Sequence, residues 1–190
     1  MSARGPVGCG VDVAAVRAEP REDAEQVTQA LRGEPLAVED ELDGWARIST
    51  AYGYSGWVRA AMLVDAPAAG WMRSLGADPV EQQARSYLGT PYEWGGMTER
   101  GIDCSGLVHM AYRRTGRLVP RDADQLEAAG EEVRESALRR GDLACYDGHI
   151  AFWLGDGRIL HSTQRDGLDG VTEEPEPSEL RPRFRRYVRL

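Results

Sequence analysis

A chain of 190 residues is long enough for one large domain or two small ones, each able to bury its own core. With 42% hydrophobic and 28% charged residues it has the composition of an ordinary soluble globular protein, and its net charge of −8 argues against a nucleic-acid partner, which asks for a basic face. The acidity is densest in the first 66 residues, where 6 arginines face 11 acidic side chains, and the absence of lysine throughout is read as genomic base composition favouring arginine codons.

In chain order, the N-terminus has no apolar run of signal-peptide length, and acidic residues arrive at Asp12 and Glu19. No window is long and apolar enough to span a bilayer. The expectation is a cytoplasmic protein without a membrane partner; a secreted protein whose signal had been removed would look the same. Residues 11–13, 26–28, 35–38, 45–48 and 56–58 are short, partly alternating apolar stretches separated by turn signals at Glu19-Pro20, Arg32-Gly33-Glu34 and Asp43-Gly44. Such spacing predicts a small β-barrel over residues 1–66. Pro67-Ala68-Ala69-Gly70 opens a linker, residues 67–78, and a second domain is expected over residues 79–190. There the period changes. Val80, Ala84, Tyr87 and Leu88 recur at helical spacing, with Gly89 as the stop. After a turn-rich loop over residues 90–101, a second helix begins behind Asp103 and carries Leu107, Val108, Ala111 and Tyr112 on one stripe, closed by Gly116. A third, shorter helix is predicted over 122–129. Strands follow at 142–146, 150–154, 158–162 and 185–190, while the proline-rich, acidic stretch 173–179 reads as a surface loop. Helices first and strands afterwards make this an α+β domain.

Chemistry concentrates in two places. In Asp103-Cys104-Ser105-Gly106-Leu107 the aspartate is a good N-cap, which puts Cys104 at the first helical position. Unpaired N–H groups and the helix dipole favour a thiolate there, as attack on an amide requires. Gly106 leaves room for a substrate backbone beside it. A buried structural cysteine is the alternative, and the one preferred for Cys145 within its apolar strand; Cys9 carries no signal. Three cysteines, odd in number and widely spaced, show no disulfide framework or CxxC metal pattern and fit a reducing compartment.

The second place is the run from Gly148 to His161, a hairpin turning at Gly155-Asp156-Gly157. With a three-residue loop, Leu154 pairs with Arg158 and His161 falls opposite Ala151, so His149 and His161 are diagonal neighbours on one face. A two-residue loop would put them on opposite faces. In the favourable register His161 holds one nitrogen of His149 while the other faces the thiol, the arrangement of nucleophile, base and orienting group. A zinc site built from Cys104, His149 and His161 is the competing reading, disfavoured because a cysteine at a helix N-terminus suits nucleophilic attack better. His109, mid-helix, reads as structural. No metal or other cofactor is expected.

Pro91-Tyr92-Glu93-Trp94-Gly95-Gly96, Gly101-Ile102-Asp103-Cys104-Ser105-Gly106-Leu107, Pro120-Arg121-Asp122-Ala123-Asp124-Gln125, Gly141-Asp142-Leu143 and Gly148-His149-Ile150-Ala151 occur in the order found in NlpC/P60 peptidases, which this region resembles from about Pro79 onward. The resemblance implies a papain-like α+β fold and cleavage of amide bonds in cell-wall peptides. It makes Cys104 the nucleophile, His149 the base, His161 the third polar member and Tyr92 a neighbour of the cysteine that holds the oxyanion or the substrate. The backbone N–H of Cys104 is the other oxyanion donor.

The first domain resembles a bacterial SH3 domain through Arg17-Ala18-Glu19-Pro20, Gln29-Ala30-Leu31-Arg32-Gly33-Glu34, Gly44-Trp45 and Tyr52-Gly53-Tyr54-Ser55-Gly56-Trp57-Val58. The two-domain combination is similar to the γ-D-glutamyl-L-diamino acid endopeptidases that recycle wall peptides bearing a free N-terminal L-alanine. That likeness makes Glu25 the candidate carboxylate for the substrate ammonium, with Tyr54 beside it and Asp103 and Ser105 as further contacts. Alternatives are a secreted wall hydrolase anchored by its SH3 domain, or a non-catalytic wall-binding protein. The diamino acid and the oligomeric state are not specified by any of these signals.

Overall fold

The computed structural model describes residues 7–72, 74, 76 and 78–190; residues 1–6, at the start of the expected first domain, and residues 73, 75 and 77, in the expected linker, lie outside the described residues. The chain divides into two compact units, Met1–Arg73 and Ser74–Leu190.

The first unit is built from β1 (Val7–Cys9), β2 (Val13–Arg17), β3 (Gln26–Leu31), β4 (Pro35–Leu42), β5 (Trp45–Thr50), β6 (Ser55–Arg59) and β7 (Leu63–Val64), which form one sheet in the order β3-β2-β6-β5-β4-β1-β7 with antiparallel pairing. Alternation along β2 buries Ala14 and Val16, and these meet Ala30, Ile48 and Val58 in a core of small and β-branched side chains. The strand expected at 11–13 begins only at Val13. Asp12 instead takes Arg32 Nε on its carboxylate at 2.7 Å and the Arg32 N–H on its carbonyl at 3.1 Å, pinning a bend ahead of the strand.

The second unit carries α1 (Val80–Arg85), a two-strand ribbon of β8 (Met97–Thr98) and β9 (Gly101–Ile102), α2 (Cys104–Arg114) and α3 (Ala123–Ala129). A six-stranded antiparallel sheet follows, from β10 (Glu131–Val133), β11 (Leu143–Tyr146), β12 (His149–Gly155), β13 (Arg158–Arg165), β14 (Leu168–Pro175) and β15 (Phe184–Arg189), in the order β10-β15-β11-β12-β13-β14. Helix α2 is the axis of the unit: Cys104 through Arg113 are all buried, and the helix packs on β12, β13 and α1. A helix covered all round has to be apolar or internally paired on every face. Leu107, Val108, Ile150 and Phe152 are fully buried in this contact, each contributing roughly 1.5–3 kcal/mol of transfer free energy.

Three expectations are revised. Helix α1 ends at Arg85, three residues short of Leu88, and the chain leaves through a turn in which Gly89 has φ 81° and donates its N–H to Val171 O at 2.9 Å. The loop over 90–101 contains the β8–β9 ribbon. The stretch 173–179 is not all loop: its first three residues belong to β14, the edge strand, where an acidic, proline-ended sequence needs no apolar face on its outer side.

Candidate active site

Helix α2 starts where the sequence said it should. Asp103 is in extended conformation and its Oδ1 accepts the Gly106 N–H at 2.6 Å, so Cys104 is the first helical residue. The same carboxylate accepts the Gly95 N–H at 2.8 Å and both terminal nitrogens of Arg121, at 3.0 and 2.8 Å. Arg121 also donates to Ser105 Oγ at 2.9 Å and to Gly96 O at 3.2 Å, and is only 1% exposed. Asp103 and Ser105, expected as peptide contacts, are thus buried and turned onto an arginine of their own chain. Gly106 serves the same knot. A Cβ there would come within 2.3 Å of Gly96 O, so the space read as room for substrate is filled by the loop preceding Cys104.

The Cys104 thiol is shifted against the direction that a helix N-terminus favours. Burial, seconded by the Asp103 carboxylate, pushes its thiol up to about 11; backbone hydrogen bonding from Ile150 and Ser105, and the Arg121 charge, act in the opposite direction without prevailing. A helix N-terminus favours a thiolate, but the cost of an anion in a water-excluded site outweighs it here. His149 is buried too, and desolvation, then His161 and Arg183, hold it down to about 3. Both shifts run toward the uncharged forms.

The histidines meet as the face argument required, by a different turn. Asp156 and Gly157 form a two-residue reversal with φ 52° and 68°, and Gly155 pairs with Arg158. A bulge between Trp153 and Gly155 then inserts one extra residue, so Trp153 pairs with Ile159 and Phe152 with Leu160. The two-residue turn alone would have separated the histidines; turn plus bulge restores the register of a three-residue loop. His149 Nε2 lies 2.8 Å from His161 Nδ1, the rings edge to face at 5.0 Å.

Two residues of this neighbourhood were not recognised from sequence. Arg121 stood in a quoted motif without a role. Glu174, in the stretch taken for a loop, places Oε1 2.9 Å from His161 Nε2. With both ring nitrogens of His161 engaged, a zinc site on Cys104, His149 and His161 would lack its third ligand, and among the described residues no group of three or more His, Cys, Asp or Glu is arranged to hold a metal ion.

Tyr92 lies near Cys104: burial, then the cysteine and Asp103, raise its phenol, which stays protonated and able to donate. It lines a cleft of about 340 Å³ together with Trp94, His149, Thr163, Gln164 and Arg183. The loop bearing Tyr92 is tied to the sheet by its N–H, which donates to Asp169 Oδ1 at 3.2 Å. Glu25 and Tyr54 belong to the first unit. There Glu25 is exposed just ahead of β3, and Tyr54 is half-buried with its ring 6.4 Å from that of Tyr52. His109 is structural, its Nδ1–H donating to Val119 O at 2.8 Å, and Cys9 and Cys145 are buried thiols. Among the described residues no helix is long and apolar enough to cross a membrane.

Comparison with known proteins bears on both units. Residues 89–186 match the NlpC/P60 family and residues 12–64 the bacterial SH3 domain family. The chain is 36% identical to dipeptidyl-peptidase 6 of Lysinibacillus sphaericus over 63% of its length and 45% of the relative's. It is 31% identical to the gamma-D-glutamyl-L-lysine dipeptidyl-peptidase of Bacillus subtilis over 63% of its own length and 42% of the relative's. It therefore spans less than half of these curated relatives. An NlpC/P60 family protein from Bacillus cereus shares the fold, with a TM-score of 0.57 at 23% identity over 97% of this chain and 62% of that one.

Proposed function

Because this chain belongs to the NlpC/P60 family and carries a bacterial SH3 domain ahead of the matching segment, we propose that it is a cysteine peptidase hydrolysing the amide bond between D-γ-glutamate and a diamino acid in peptidoglycan peptides. The observation that carries the proposal is the 2.8 Å His149–His161 pair, on a strand whose next residue, Ile150, contributes backbone hydrogen bonding to the Cys104 sulfur.

In the proposed reaction His149 removes the Cys104 proton as the sulfur attacks the scissile carbonyl. Since the resting thiol and imidazole are both neutral, proton transfer accompanies attack rather than preceding it. The oxyanion is met by the Cys104 N–H, which has no partner within the helix, and by the Tyr92 hydroxyl. The C–N bond breaks as His149 returns the proton to the departing amine. Water, deprotonated by the same imidazole, then hydrolyses the thioester. Arg121 contributes indirectly, by holding the N-cap that fixes Cys104 at the helix start. No cofactor enters the scheme.

A preference for a free N-terminal L-alanine, with Glu25 and Tyr54 as its candidate residues, and a place in cytoplasmic recycling belong to the same proposal. The test is incubation of the protein and its Cys104→Ala variant with L-Ala-γ-D-Glu-meso-diaminopimelate and with the N-acetylated peptide, followed by mass spectrometry. Release of L-Ala-D-Glu from the free peptide only, and nothing from the variant, is expected. Equal cleavage of both peptides would refute the terminal preference, and no cleavage of either would refute the peptidase reading.

A further inference from the structure

The acid side chain beside the histidine pair has a directional effect on it. His161 sits between two partners: its Nδ1 faces His149 Nε2 at 2.8 Å and its Nε2 faces Glu174 Oε1 at 2.9 Å. Glu174 is held in turn by Arg165, whose Nη2 donates to both carboxylate oxygens, and Arg165 Nη1 is anchored on Glu179 Oε1 at 2.6 Å. His161 is 1% exposed and shielded from solvent exchange of partners. A carboxylate paired with a guanidinium offers acceptors only. The proton shared with Glu174 therefore resides on His161 Nε2.

The remaining step follows from valence. A neutral imidazole carries one N–H, so His161 Nδ1 is then a bare acceptor, and His149 Nε2 must supply the proton of the 2.8 Å bond. That leaves the lone pair of His149 on Nδ1. We propose that Glu174 is a positioning residue which, through His161, fixes the tautomer of His149 and so dedicates Nδ1 to receiving the Cys104 proton. Burial lowers His161 despite the opposing pull of Glu174, which is the direction of the neutral form on which the valence argument rests. The charged groups around the pair are Glu174, Glu179, Arg165 and, on the His149 side, Arg183. In this arrangement β14 is a working part of the site, and the tautomer is set two residues away from the base. The kinetic half of this inference rests on the peptidase reading; the tautomer half does not.

The experiment is long-range ¹H–¹⁵N correlation of the imidazole rings in the uniformly ¹⁵N-labelled full chain near neutral pH, with peptide kinetics run in parallel. Wild-type protein should show His161 and His149 both protonated at Nε2. A spectrum with His161 protonated at Nδ1 overturns the proposal without any variant. Glu174→Leu should release His161 into mixed tautomers and lower kcat about 10- to 100-fold at little change in KM, by analogy with removal of the outer partner of a metal-ligating histidine. A folded Glu174→Leu protein with wild-type tautomers and kcat within about twofold would also overturn it. Expected tautomers in a protein that cleaves neither peptide would sustain the tautomer assignment and refute the catalytic role given to His149 above.

Discussion

Acid should weaken the second unit long before carboxylates begin to titrate, and the buried histidines set the size of the effect. His149 and His109 are both held down to about 3, in each case chiefly by burial, against an ordinary value of 6.5. Between those values the unfolded chain binds a proton that the folded chain refuses, so unfolding is favoured as pH falls. The stabilising contribution of each histidine is whole above 6.5 and is lost progressively on the way down to about 3. The slope is roughly 1.4 kcal/mol per pH unit for each group. Lowering pH by about 1.5 units from 6.5 therefore costs roughly 2 kcal/mol per histidine, or about 4 kcal/mol together, a large share of the stability of a typical domain. His161 is lowered as well and adds in the same direction. All three histidines lie in the second unit, which makes the first an internal control. Urea denaturation of the full chain at about pH 7 and pH 5, followed by hydrogen exchange and mass spectrometry, reads the two units separately. An unchanged second unit, or a first unit that loses as much, would refute the reasoning.

Three other perturbations are informative. Alkylation of Cys104 by iodoacetamide should be slow near neutral pH and climb about tenfold per unit toward its raised range around 11, monitored by peptide mapping; a plateau below about pH 8 would mean a resting ion pair instead. Arg121→Met should destabilise the second unit by about 3–5 kcal/mol, because it strands the buried Asp103 carboxylate; a thermal melt within a degree or two of wild type would show that Asp103 is satisfied without it. Gly170→Ala should lower both stability and peptide turnover, since Gly170 has φ 124° and an added Cβ would meet Thr90 O at 2.2 Å, forcing β14 away from the loop that carries Tyr92. An alanine variant with wild-type melting temperature and kcat would contradict that contact.

What could be read from the sequence was local, and what could not depended on the fold. Asp103 announces Cys104 because a cap and its helix are four residues of backbone geometry. The histidine pair was accessible because side-chain alternation leaves only two outcomes for a hairpin, although the turn that delivers it, two residues and a bulge, was not the one expected. Glu174 was hidden because β14, an edge strand ending in Thr172-Glu173-Glu174-Pro175, shows no apolar alternation; only its pairing with β13 identifies it. Arg121 offered no local sign of being buried, 16 and 18 positions from the groups it holds. The upward shift of the Cys104 thiol was illegible for the same reason. A helix terminus is visible in sequence, whereas the exclusion of water around it is a property of everything packed nearby.

The upward shift of the Cys104 thiol has a consequence for survival in oxidant. Peroxide attacks thiolates, and burial pushes the Cys104 thiol up to about 11, away from the reactive form. Cys9 and Cys145 are buried and their thiols likewise raised, so no accessible thiolate stands ready to resolve a sulfenic acid into a disulfide. The direction of these shifts, set by burial, works against oxidation of all three sulfurs in the folded chain.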